Sequence, residues 1–301
     1  MKSILAICAT IITVSLAAQP TIQEQLGYPR NTKLLIIHAD DIGVSHSENA
    51  ATITALEKGS VNSGSILVPC PWMPEIAAYI ASHPNLDLGI HLTLTAEWKY
   101  YKWGPVLPAK DVPSLVDEKG FLPDNVADVA KNAKPEEAEK ELRAQIERAK
   151  RFGIDPTHFD THMGSVFATP ALASVYLKLS QEYKVPVLLP AEAKALASSV
   201  PNAVFIDKLF MATPDDYKGG MKNFYTKTLK DLPPGFNVLL LHAAHDDAEM
   251  QAVTIDHADY GAAWRQADYD FFTSDDCKKL LKENNIRLVT WKEIRDKIAR
   301  K

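Results

Sequence analysis

Several apolar runs in this 301-residue chain end in carboxylates or imidazoles. Asp40 and Asp41 follow Leu34-Leu35-Ile36-Ile37-His38-Ala39. Adjacent carboxylates at the end of a buried strand repel each other and lose hydration unless a cation or an arginine neutralises them. Gly89-Ile90-His91-Leu92-Thr93-Leu94-Thr95 places a histidine among alternating apolar residues. His158, Asp160 and His162 stand at i, i+2 and i+4, which on an extended strand puts three metal-capable side chains on one face. His242 and His245 close the run Leu239-Leu240-Leu241, and Arg265 follows in Trp264-Arg265. Each cluster alone has an ordinary structural reading, as a capped turn, a core histidine or a salt-bridged strand end. Nine histidines scattered without a role would seldom fall at such ends repeatedly, and the joint reading is a metal centre.

A divalent cation held by one carboxylate and two neutral imidazoles keeps positions open for water and a substrate oxygen. It lowers the pKa of bound water from 15.7 to about 7 and polarises a carbonyl. A second carboxylate outside the ligand set can take the proton from that water, and a histidine across the substrate can protonate a leaving nitrogen. In this chain Asp41, His91 and His162 are the candidate ligands. Asp40 is the candidate base, His242 the candidate acid, with Arg265 as an orienting residue. Mg²⁺ prefers oxygen ligands, whereas two imidazoles suit Zn²⁺ or another transition ion; the sequence leaves the metal open.

The elements that must hold these residues alternate between short apolar runs and amphipathic stretches. Strands are expected at 33–37, 63–68, 86–94, 156–162, 185–189, 238–241 and 287–290. Helices are expected at 47–58, 74–81, 135–152, 171–183 and 275–283. The clearest is 135–152, with Pro135 in its first turn, Glu136 and Glu137 at its N-terminus, and a stripe of Leu142, Ile146 and Ala149. Residues 96–134 are irregular and carry Trp98, Tyr100, Tyr101 and Trp103, which either stack on sugar rings or pack within a long loop. Repeated strand-then-helix units imply parallel strands with right-handed crossovers. The polar residues fall at C-terminal strand ends, where an α/β barrel assembles its site. The expected fold is α/β, a single-domain distorted TIM-like (β/α) barrel, with a doubly wound open sheet as the alternative.

The first residues read as an address. Lys2 precedes an apolar run from Ile4 to Leu16 and the small pair Ala17-Ala18, so residues 1–18 are expected to be a cleavable secretory signal. Residues 19–32 form an N-terminal extension and 33–301 the metal-dependent domain. This predicts a periplasmic or secreted protein without stable membrane insertion. A net charge of −5 gives no basic footprint for nucleic acid. Cys70 and Cys277 have no metal-type spacing and read as buried thiols.

The motifs His38-Ala39-Asp40-Asp41-Ile42-Gly43-Val44-Ser45 with Asn49, Gly89 to Thr95, Pro156-Thr157-His158-Phe159-Asp160-Thr161-His162, Leu241-His242 and Trp264-Arg265 resemble those of the YdjC-like carbohydrate deacetylases, the family that includes chito-oligosaccharide deacetylase. The resemblance runs from about Lys33 to Glu293. It implies a TIM-like barrel, a magnesium or zinc ion on Asp41, His91 and His162, a base at Asp40 and a catalytic histidine at His242. Two departures stand out. Gly164 occupies a place where many relatives have a second histidine, and Ala243 one where proline is common; His245 is an added candidate acid. The leading expectation is hydrolysis of N-acetyl groups on a carbohydrate substrate. Glycoside hydrolysis through Glu97 or Asp160 leaves the histidines unexplained, and a non-catalytic sugar-binding protein would be indifferent to chelators. The sugar and any homo-oligomer are left open.

Overall fold

The computed structural model describes residues 20–190, 193, 200 and 203–300; the expected signal segment 1–18 lies outside them. The longest strand, β1 (Lys33–Ile42), explains why its sequence is continuously apolar: every residue after Lys33 is buried. Leu35, Ile37 and Ala39 pack on one face with Leu239, Leu241 and Ala51. Leu34 and Ile36 pack on the other with Phe236, Val238 and Trp291. A strand covered on both sides has no solvent face to mark with polar residues, and each buried Leu or Ile contributes about 1.5–3 kcal/mol.

Around it lie β2 (Ser63–Ile66), β3 (Leu88–Leu92), β4 (Phe159–Thr161), β5 (Leu189–Pro190), β6 (Phe205–Ile206), β7 (Lys208–Phe210), β8 (Gly235–Leu241) and β9 (Ile286–Leu288). The main sheet runs β4-β3-β2-β1-β8-β7, with β9 beside the first residues of β1, and β5 pairs with β6 in a separate two-stranded sheet. Every pairing is parallel, as the alternating pattern predicts. The result is a single-domain α/β fold with a curled, half-barrel parallel sheet. The expected distorted TIM-like barrel is met as far as this half-barrel among the described residues. β5 and β6 have two residues each, and a lone bridge from Phe159 to Val187 links β4 towards them.

The helices agree closely with their periodicity: His46–Lys58, Met73–Ser82, Pro135–Arg151, Pro170–Tyr183 and Asp275–Glu283. The expected strand over 156–162 is shorter, and after it Met163 and Gly164 take left-handed backbone (φ 51° and 66°) and turn the chain immediately past His162. The irregular region contains a helix, Val126–Asn132, that polar spacing concealed. Cys70 and Cys277 are both buried and unbridged. Among the described residues no helix is long and apolar enough to cross a membrane.

Candidate active site

Alternation along β1 would send Asp40 and Asp41 to opposite faces, yet both line one cavity. The register of β1 against β2 shifts between Ala39 and Ile42, and Asp41 adopts φ 66°. Asp tolerates this left-handed conformation better than most residues, at a cost of order 1–3 kcal/mol. The bulge re-aims Asp41 beside Asp40, and Gly43 N–H donates to Asn49 Oδ1 at 2.7 Å to hold the turn that follows.

Asp41, from β1, meets His91 from β3 and His162 from the turn after β4. Asp41 Oδ1 lies 3.1 Å from His162 Nδ1 and 3.4 Å from His91 Nε2. One donor atom from each of the three residues falls within 4.8 Å of the other two. Ligands about 2.1 Å from a tetrahedral ion stand about 3.4 Å apart, so this spacing fits a single cation. Asp41 Oδ1 is buried without a hydrogen-bond partner, an orphan that a cation would satisfy. Burial alone would raise the Asp41 pKa, but His162 and Arg265 hold it well below the usual carboxylate range.

The opposite ring nitrogens are anchored by carboxylates. His91 Nδ1 is 2.8 Å from Asp160 Oδ1, and His162 Nε2 is 2.8 Å from Glu97 Oε2. Each carboxylate fixes the proton on the nitrogen it faces and turns the other towards Asp41, as around many metal-bound imidazoles. The two carboxylates considered for glycoside hydrolysis are therefore both committed to histidines. Two further donor groupings, His38-His158-Asp160 and Asp40-His91-Asp160, are buried, and hydrogen bonds already engage Asp160 in both.

Arg265, on the helix Ala262–Phe272, closes the far side of Asp41. Its Nη2 donates to Asp41 Oδ2 at 2.8 Å, its Nη1 to both oxygens of Glu48 at 2.7 and 2.9 Å, and its Nε to the Tyr260 carbonyl at 2.7 Å. Its guanidinium also faces the Trp98 ring at 5.3 Å. His242 stands just past β8, its Nε2 4.0 Å from Asp40 Oδ2 and 3.9 Å from Asp41 Oδ2. Burial, reinforced by Arg265 against the pull of Asp41, lowers its pKa to about 4. Asp268 accepts the His242 N–H at 3.0 Å and the Tyr225 hydroxyl at 2.6 Å.

All six sequence-predicted residues, Asp40, Asp41, His91, His162, His242 and Arg265, thus line one cavity of about 860 Å³. His245 is not among its lining residues and sits edge-on to Tyr269 at 4.8 Å. Of the aromatic group, only Trp98 reaches the cavity. Trp98 and Trp103 are buried against each other, and the Tyr101 hydroxyl donates to the Val44 carbonyl, so loop packing accounts for most of the cluster. Sequence reading missed Glu48, Ser65, Asp268 and the place of His38. The His38 motif was visible, but its partners lie on other strands.

An α/β scaffold that gathers one carboxylate and two imidazoles under an open cavity defines a candidate centre for a divalent cation. The model of the YdjC-like protein family matches residues 34–283, and the chain belongs to that family. It is 32% identical over 276 residues to a carbohydrate deacetylase of Thermus thermophilus, covering 88% of this chain and 94% of that one. It is 25% identical to a carbohydrate deacetylase of Thermoanaerobacter pseudethanolicus, covering 86% and 98%. Among solved structures, an Enterococcus faecalis V583 protein for which cellobiose-phosphate cleavage has been suggested superposes with a TM-score of 0.76 at 26% identity, covering 87% of this chain and 99% of that one.

Proposed function

We propose that this protein is a metal-dependent carbohydrate deacetylase that hydrolyses N-acetyl groups on sugars. The deacetylase activity of its relatives supports the reaction. The observation that carries the metal dependence is the orphaned Asp41 Oδ1 facing His91 Nε2 and His162 Nδ1. Those three residues would hold the ion, and two nitrogens with one oxygen favour zinc or another transition ion over magnesium. A bound ion would polarise the amide carbonyl and acidify water.

The chain's own groups supply the proton path. Asp40 presents Oδ2 to the cavity and accepts the proton of the attacking water. His242 starts neutral, so the proton that it gives to the leaving nitrogen must first reach its Nε2, 4.0 Å from Asp40 Oδ2. Arg265 keeps Asp41 ionised and fixed. The curled sheet is read as part of a distorted barrel. Residues 1–18 are read as a cleaved export signal, 19–32 as an extension and 33–301 as the catalytic unit, placing the mature protein in the periplasm or medium. N-terminal sequencing of exported protein tests that placement.

Acetate release from N-acetylated oligosaccharides tests the activity. Chelation should abolish turnover, and Asp40→Asn should reduce it about 10²–10⁴-fold, the range for losing a general base. Turnover that survives both treatments overturns the reading.

A further inference from the structure

The base and one ligand branch of the centre share a buried residue that the mechanism above does not use. His38 lies on β1 on the same face as Asp40, wholly buried. Its Nε2 is 3.1 Å from Asp40 Oδ1 and 2.9 Å from Asp160 Oδ2, and 3.1 Å from Ser65 Oγ. Its Nδ1 is 3.1 Å from Ser63 Oγ, and its ring meets His158 edge-on at 4.9 Å, so it cannot turn freely. Ser65 completes the arrangement, donating to Asp160 Oδ2 at 2.7 Å and lying 3.4 Å from Asp40 Oδ1 and 3.1 Å from His91 Nδ1.

We infer that His38 is a positioning residue that locks the base Asp40 and the carboxylate behind His91 into one rigid unit. The inference rests on the proposed roles of Asp40 and His91. With Asp40 Oδ1 and Asp160 Oδ2 both tied to the same imidazole, only Asp40 Oδ2 faces His242, and only Asp160 Oδ1 is left for His91. An apolar residue at 38 would leave two buried carboxylate oxygens side by side without that shared partner, which is costly. They would then rotate, and both the presentation of Asp40 Oδ2 and the aim of His91 Nε2 would suffer. Histidine at 38 thus makes the geometry of the base and the geometry of the metal ligand interdependent. A buried histidine that merely filled space would have no such effect on either.

The test uses the full chain with His38→Leu, His38→Gln and Ser65→Ala. Thermal melting and circular dichroism check folding. Zinc affinity of the metal-stripped protein is measured by chelator competition, and kcat and KM are measured by acetate release. His38→Leu should weaken zinc about 10-fold, the lower end for losing an outer partner of a ligand. It should also lower kcat about 100-fold, as expected for a misplaced catalytic group, with KM within threefold. His38→Gln, whose amide can donate near the Nε2 position, should recover at least a tenth of wild-type kcat. If His38→Leu does not fold, Ser65→Ala decides, with an expected fall in kcat of about 10-fold at unchanged KM. Wild-type zinc affinity and kcat in a folded His38→Leu, or in Ser65→Ala where that variant decides, would overturn the inference, as would His38→Gln no better than His38→Leu. A wild type that binds zinc but releases no acetate would sink the deacetylase reading instead, and the zinc comparison would still decide the role of His38.

Discussion

The two sides of the cavity are built differently. The β1–β4 side presents Asp40, Asp41, His91, Asp160 and His162, all buried; Asp41 pairs with His91 and His162, His91 with Asp160, and His38 joins Asp160 to Asp40. The segments around β5, β7 and β8 present the aliphatic Leu188, Pro190, Leu209, Met211 and Leu240 beside His242, and of these Leu209 and Met211 are about 40% and 44% exposed. The first side stores its precision in strand ends that cannot move without exposing the core. The second gains little from any one contact and can adapt to what it covers. His242 apart, chemistry and grip are thus separated across one cavity, so substitutions of the ionised and of the aliphatic residues should fail in different ways.

Of the two substitutions that compare the sides, the sharper break should come at Asp41. Asp41→Asn is expected to cost about 10²–10³-fold in kcat, the scale of removing a preorganised charge from a water-excluded site. Zinc binding measured by chelator competition should fall with it, while KM is little changed. On the opposite side, Met211→Ser should leave kcat and zinc affinity unchanged and raise KM about two- to fivefold, the scale of a partly exposed apolar contact. A fall in kcat there would mean that the aliphatic side also takes part in the chemistry.

The smallest effect sharpens the boundary beneath His242. Burial pushes the Asp268 pKa up to about 7, against about 3.9 in an unfolded chain. The folded state therefore holds this proton more tightly. Its contribution to stability is complete below about pH 4 and is lost as the pH rises through about 7. Asp268→Asn cannot titrate, so its melting temperature should fall less than wild type between pH 4 and 7, by a few degrees. Parallel melting curves for the two proteins would remove Asp268 from this account.

The ionised side was largely legible in the sequence because Asp40 and Asp41 interrupt the apolar β1, His242 closes the run of β8, His91 stands among alternating apolar residues, and His162 shares alternate spacing with His158 and Asp160. Glu48 was hidden. It sits on an ordinary helix, and its partner Arg265 is 217 residues away. Ser65 was hidden for the same reason, its bond to Asp160 spanning 95 residues. The bulge at Asp41 could not be read either, since a left-handed aspartate has no local mark comparable to glycine. The sheet was recognised as parallel, but how β5, β6 and β7 extend it was not legible, because they are too short to show periodicity. Of the two readings the aromatic cluster allowed, a sugar platform or the packing of its own loop, the structure shows mostly the second. Aromatic composition does not say which face of a ring is already covered.

Anomalous scattering at the zinc edge from crystals of the zinc-loaded protein tests the centre most directly. One peak about 2.0–2.2 Å from Asp41 Oδ1, His91 Nε2 and His162 Nδ1 is predicted. A fully loaded protein whose zinc lies elsewhere, with those three atoms still facing one another uncoordinated, would contradict it.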